Sequence, residues 1–140
     1  MKNTQPELVY GFFCEFVRVE ASGQITPIGI WGEACKFLGK PPLVLPALSF
    51  HAFMRNPGKK PYKANLRLTI PGQAAPVDVE APVIGSANHN SQNLVFNFAG
   101  VPIIGPGEIV ASVHIDCEPP INQEFRLKIE FQPQAAPAIH

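Results

Sequence analysis

The chain has 140 residues, of which 46% are hydrophobic and 16% charged, and eleven lysines and arginines balance eleven aspartates and glutamates. This length suits one domain, and the apolar content excludes a disordered chain. No apolar run approaches the roughly 20 residues that a membrane-spanning helix needs. We therefore expect one folded domain over 1–140, with a core over about 8–132 and flexible tails at 1–6 and 133–140.

Apolar residues alternate with polar ones along most of the chain, and this period of two is typical of strands with one buried face. The first two strands are expected at 8–19 and 24–34, joined by a hairpin at 21–23. The 77–84 segment is expected at a sheet edge, because Pro76 and Pro82 cannot donate to a strand ladder. The remaining strands are expected at 48–55, 63–70, 93–98, 108–117 and 124–131.

The segments between these strands are rich in glycine, proline and asparagine. The chain contains 16 prolines, which suits turns and sheet edges rather than helices. Short strands separated by such turns predict an all-β fold, an antiparallel β-sandwich of about seven or eight strands that is Ig-like. The alternative is a small closed β-barrel.

The first predicted hairpin carries a family resemblance. The matching stretches are FCEFVRVE at 13–20, GQITPIGIWG at 23–32, PALSF at 46–50 and the glycine-led strand at 107–116. In these features the chain resembles the bacterial DUF6941 domain family, although Glu15 and Gly23-Gln24 stand where its members often have Asp and Gly-Lys. The resemblance implies a small β-sandwich of bacterial or phage-associated origin. It supplies no activity and no catalytic residues.

The three cysteines are Cys14, Cys35 and Cys117, an odd number without a CxxC pair. The polar segment 1–7 does not have the pattern of a secretion signal. We therefore expect reduced and mostly buried thiols in a cytoplasmic protein. One disulfide with one free thiol is the alternative.

The charged residues are segregated along the chain. Seven basic residues and no acid lie between Lys36 and Arg67, whereas six acids and no Lys or Arg lie between Leu68 and Phe125. This split favours an anionic partner or head-to-tail self-association. The alternative is that folding brings the two segments together and mixes their charges.

The densest basic stretch, 55–67, is a candidate site for an anion. Phosphate binding would use its cations, and Tyr62 could stack on a base. The cations are Arg55, Lys59, Lys60, Lys63 and Arg67. A nucleic-acid-binding domain usually has a high pI, so the near-neutral value of 6.9 counts against that partner. The other interpretation is a solvated hairpin tip.

A metal site is a further hypothesis. His114 and Asp116 share one face of a predicted strand, and His51 could join them, since two imidazoles and a carboxylate can bind a divalent cation. The alternative is the polar outer face of an antiparallel sheet. The chain contains no GxSxG or GxxxxGK motif, and the prolines of 100–107 remove donors that a phosphate cradle needs. We predict no cofactor and no catalytic residue.

Three apolar residues, Trp31, Phe53 and Val95, are expected on outward strand faces. If they share one sheet, they form a patch suited to a protein partner or a second subunit. The alternative is a second core layer beneath a loop at 40–46. The sequence therefore predicts a non-enzymatic binding or assembly module that self-associates, without nucleic acid or membrane as a partner. The second hypothesis is a binder of a small anion or nucleic acid through 55–67, and the third is a metal-dependent enzyme.

Overall fold

The computed structural model describes residues 5–22, 24–57, 62–83 and 91–132. These residues form nine strands, one more than expected. They are β1 (Glu7–Val19), β2 (Ile25–Ile30), β3 (Ala34–Leu38), β4 (Leu43–Arg55), β5 (Tyr62–Thr69), β6 (Val77–Val83), β7 (Ser91–Ile103), β8 (Gly107–Ile115) and β9 (Ile121–Gln132). None of the described residues belongs to a helix that is long and apolar enough to cross a membrane.

The strands form two sheets that pack against each other. Sheet 1 has the order β2-β1-β4-β7, and sheet 2 has the order β3-β9-β8-β5-β6. The predicted all-β sandwich is therefore confirmed. No hydrogen-bonded ladder joins the two sheets within the described ranges, so the closed barrel is not adopted there.

The core lies between the sheets, because every second residue of a strand points to the same side. The fully buried residues of β4 and β8 show this alternation: Leu48, Phe50, Ala52 and Met54 in β4, and Ile109, Ala111 and Ile115 in β8. The ring of Phe50 contacts Phe13 of its own sheet and Phe125 of sheet 2, with 5.1 Å between ring centroids in each pair. Burying one such large apolar side chain contributes about 1.5–3 kcal/mol to folding.

The chain changes sheets where the sequence predicts one continuous strand at 24–34. β2 ends at Ile30 in sheet 1, and β3 begins at Ala34 in sheet 2. Gly29 has φ +67°, which interrupts the extended backbone just before this crossing. β3 then pairs with β9 in parallel, so one pair departs from the antiparallel expectation.

β4 and β7 are longer than the sequence predicts. They pair from Leu43↔Ile103 to Arg55↔Ser91. The segment 40–46, expected as a loop, therefore contributes residues to β4, and β7 continues to Ile103, past the end expected at 98. β6 lies at the edge of sheet 2, as expected from Pro82 within the strand and Pro76 just before it. Ile84, residues 1–4 of the first tail and the second tail at 133–140 lie outside the described residues.

Gly11 of β1 lies where the strand passes closest to the aromatic core. A Cβ atom at Gly11 would lie 2.6 Å from Cζ of Phe50 and 3.0 Å from the ring of Phe125. We expect Gly11→Ala to lower the free energy of unfolding by about 1–3 kcal/mol, because a methyl group there overpacks the core. Urea denaturation measures this loss.

Gly32→Ala is the matched control, since a Cβ atom at Gly32 meets nothing within 4 Å. Equal losses of stability in the two variants would contradict the role assigned to Gly11.

Candidate interaction surface

The side of sheet 1 that points away from the core carries mainly aromatic and aliphatic side chains. In the strand register Tyr10 lies opposite Phe53, and His51 lies opposite both Phe12 and Val95. Phe16 lies opposite Ile28 in the β1–β2 hairpin. We call this surface the apolar face, and it consists of Tyr10, Phe12, Phe16, Ile28, Ile30, Phe53 and Val95.

Three members of the apolar face are open to solvent, whereas Phe12 and Phe53 are half-buried. Tyr10 and Phe16 are each 43% exposed, and Ile30 is 58% exposed. The rings of Tyr10 and Phe53 stack with 5.2 Å between their centroids. Contiguous exposed apolar surface of this kind is typical of protein–protein interaction sites.

Charged side chains border the apolar face at both ends of its strands. Arg18 pairs with Glu20 at 2.7 Å at one end, and Arg55 pairs with Glu7 at 3.8 Å at the other. An apolar centre with a polar rim is the usual composition of a protein–protein interface. The apolar face therefore has the anatomy of a contact surface.

The outer side of sheet 2 has the opposite chemistry. It carries charged residues of both signs joined in exposed ion pairs, which contribute little to stability because water screens them. The pairs are Lys63–Glu80, Arg67–Asp78, Arg126–Glu108, Arg126–Glu124 and Lys128–Glu130, with distances of 2.9–3.4 Å. This side is a solvated surface, and the contrast singles out the apolar face.

The fold brings part of the basic segment against the acidic one. β5 carries Lys63 and Arg67, and its neighbour β6 supplies Glu80 and Asp78 as their partners. These cations and carboxylates offset each other within one chain. The charge segregation of the sequence therefore gives little support to head-to-tail association, and the alternative of mixed charges holds for these strands.

The candidate anion site is partly described. Arg55, Lys63 and Arg67 each face a carboxylate, so their charges are balanced in the fold. Lys59 and Lys60 lie outside the described residues. The described part of 55–67 does not gather unpaired cations around one point.

The three apolar residues that the sequence places on outward faces do not all lie on one surface of the fold. Phe53 and Val95 lie on the apolar face. Trp31 instead packs against the core, and its backbone N–H donates to the carbonyl of Phe13 at 3.0 Å. Sequence analysis missed Tyr10, Phe12 and Phe16, because β1 is apolar on both faces and the alternation that marks an outward face is absent.

The sandwich does not assemble the predicted metal site. His51 lies on the outer side of sheet 1, whereas His114 belongs to β8 of sheet 2. Asp116 is the first residue after the end of β8. The core separates these positions, since packed sheets lie about 10 Å apart. Nδ1 of His114 lies 2.6 Å from Oδ1 of Asn122, and Asp116 accepts a hydrogen bond from the Lys63 N–H. The described residues contain no group of three His, Cys, Asp or Glu that could hold a metal ion.

All three cysteines are buried and free, as expected for reduced thiols: Cys14, Cys35 and Cys117. The alternative of one disulfide with one free thiol is not adopted. Burial raises the pKa of each thiol above its ordinary value. A raised pKa favours the protonated thiol, which is a poor nucleophile. Cys35 and Cys117 therefore act as small apolar residues of the core, whereas Cys14 is buried on the outer side of sheet 1, opposite Ser49 and Ile30.

His51 is the unusual polar residue of the apolar face, because it is only 3% exposed. Its Nε2 lies 2.8 Å from Oδ1 of Asn93, and its buried Nδ1 has no hydrogen-bond partner. The ring meets Phe12 edge-on, with 5.0 Å between centroids. Burial lowers the pKa of His51 below its ordinary value of 6.5, and the bond to Asn93 opposes this only in part. The ring is therefore neutral at pH 7, with Nε2 as the donor.

Comparisons with known proteins assign no function to this surface. No protein-family model matches the chain, and no curated protein sequence matches it. The chemistry of the apolar face therefore carries the functional inference.

The depressed pKa of His51 makes the stability of the fold depend on pH. The unfolded chain, with an ordinary histidine pKa, binds more protons than the folded chain below about pH 6.5. The contribution of neutral His51 is therefore complete above that pH and decreases as pH falls toward the folded-state pKa. The decrease is at most about 1.4 kcal/mol per pH unit.

Urea unfolding at about pH 7.5 and about pH 5.5 measures this decrease. His51→Gln is the reference, because its amide can donate to Asn93 without titrating. The native chain should lose more stability than the variant between the two pH values. Identical losses would show that His51 does not titrate in this range.

Proposed function

We propose that the protein is a non-enzymatic β-sandwich module for binding and assembly, which self-associates through the apolar face. One observation carries the proposal: Tyr10, Phe16 and Ile30 are exposed together on one outer side of the sandwich, while the other outer side is charged. Removing apolar surface from water is worth about 25 cal/mol per Å². Covering the apolar face is therefore favourable.

A second copy of the chain is the partner that this surface favours. A face-to-face contact about a two-fold axis needs only one surface, because the same patch serves both copies. The rim pairs Arg18–Glu20 and Arg55–Glu7 carry both signs, so the rims of two copies need not repel each other. Exposed aromatic side chains such as Tyr10 are the residues that most often dominate binding energy.

Two further features support a bacterial or phage-associated origin and a cytoplasmic location for such a module. The resemblance to the DUF6941 family, carried by the β1–β2 hairpin, supports a bacterial or phage-associated origin. The same hairpin supplies Phe16, Ile28 and Ile30 to the apolar face. Three free, buried thiols are typical of a reducing compartment, which supports a cytoplasmic location.

Ile30→Arg tests the role of the apolar face. The side chain is 58% exposed, so the substitution leaves the core in place and puts a charge at the proposed contact. We expect self-association to weaken about tenfold or more, because an unpaired charge would be buried in the interface. Sedimentation equilibrium measures the association constant.

Leu38→Arg is the matched control. Leu38 is 73% exposed, but it lies on β3 of sheet 2, away from the apolar face. This variant should associate like the native chain. The proposal is wrong if the native chain stays monomeric at high micromolar concentration. It is also wrong if the two substitutions weaken self-association equally.

A further inference from the structure

The four edge strands of the sandwich differ in how well they resist pairing with another chain. Natural sheets protect their edges with short strands, prolines, irregular backbone or charged side chains. β2 has six residues with Pro27 and the positive φ of Gly29, and β3 has five residues with exposed Lys36. β6 carries Asp78, Glu80 and Pro82. Three of the four edges are therefore protected.

β7 is the exception. None of its 13 residues carries a charged side chain, and it pairs with β4 along its length. The positive φ of Gly100 and the proline at 102 interrupt its end, so the unprotected part of this edge is 91–99. No other described strand is hydrogen bonded to its second side. Because the groups of an antiparallel strand point alternately to its two sides, that side presents N–H and C=O groups without a described strand partner along about 31 Å over 91–99, at roughly 3.4 Å per residue.

The outward-facing residues of β7 are arranged almost symmetrically about Val95. Asn93 and Asn97 lie two residues away on either side, and the small Ser91 and Ala99 lie two residues further out. An antiparallel pair of β7 strands centred on Val95 would set Asn93 opposite the partner's Asn97 and Ser91 opposite the partner's Ala99. No like charges would meet across this pair, since the strand carries none.

Hydrogen bonds to β4 already orient the two asparagines. The Ser49 hydroxyl donates to Oδ1 of Asn97 at 2.5 Å, and Nε2 of His51 donates to Oδ1 of Asn93 at 2.8 Å. Each amide oxygen keeps a second lone pair, and each Nδ2 keeps its two N–H donors. Asn93 and the partner's Asn97 can therefore hydrogen bond directly across a paired edge. Both asparagines are exposed, so a second strand can reach them.

We propose that β7 pairs antiparallel with β7 of a second copy of this chain, about a two-fold axis at Val95. The two four-stranded sheets then form one continuous sheet of eight strands. A two-fold contact is satisfied by a single self-complementary edge, which the symmetry about Val95 provides. This contact goes beyond the proposed association of apolar faces, because it uses the backbone edge and not Ile30.

Val95→Cys tests the position of the axis. Directly opposite residues of an antiparallel pair have Cβ atoms about 4.5–5.5 Å apart, close to the separation that a disulfide spans. Under mild oxidation the variant should form a covalent dimer about a hundredfold faster than thiols that meet by collision, because pairing raises their effective concentration. The controls are the native chain, whose three thiols are buried, and Thr69→Cys on the exposed side of β5.

Ser91→Cys and Ala99→Cys test the register. A mixture of the two variants should form a covalent heterodimer. Neither variant should cross-link by itself, because identical thiols would lie about 27 Å apart along the paired strands, at roughly 3.4 Å per residue. Rapid cross-linking of Ser91→Cys with itself would overturn the register.

The outcome separates this contact from the face contact. If Val95→Cys cross-links no faster than Thr69→Cys, the edge proposal fails, whatever Ile30→Arg does to self-association. If the edge proposal holds, Val95→Cys should still cross-link in a chain that also carries Ile30→Arg. Loss of the cross-link in that double variant would overturn the proposal that the β7 edge contact forms independently of the apolar face.

Discussion

The two sheets are held together at the ring of Phe50, which packs between Phe13 of its own sheet and Phe125 of the other. Gly11 leaves the space that this ring occupies. Because side chains alternate along a strand, an inward Phe50 requires Ser49 and His51 to point outward. The composition of the outer side of sheet 1 follows from this one packing arrangement.

The outer sides of the two sheets differ in chemistry because the outward-pointing residues of their strands, which are every second residue, are of different types. On sheet 2 these residues are charged, and neighbouring strands supply opposite signs, as Arg67 and Asp78 do. On sheet 1 they are mainly aromatic or aliphatic on β1 and β2, include uncharged polar residues such as Ser49 and Asn97 where β4 pairs with β7, and are charged at the strand ends. An exposed apolar patch is more informative than a charged surface, since any soluble protein needs the latter. His51, which meets Phe12 edge-on, adds a buried nitrogen without a hydrogen-bond partner, and this nitrogen costs stability as long as it is kept from water.

Much of the fold could be predicted from local alternation, although the candidate surface could not. β5, β8 and β9 have one apolar and one polar side, so period two reveals both the strand and its orientation. β1 is apolar on both sides, which hides the outward position of Tyr10 and Phe16. The separation of His51 from His114 was equally hidden, because a strand pattern does not state which sheet a strand joins.

The sequence by itself determined the all-β class, most of the strands, the burial of the cysteines and the edge position of β6. These features depend on residues that are neighbours in the chain, where alternation and proline act. Only the tertiary structure decided that β3 crosses to sheet 2 and lies parallel to β9, that Lys63 and Arg67 meet carboxylates of β6, and that β7 forms an open edge. The physical reason is that strand pairing joins residues distant in sequence, and their register depends on how the whole core packs.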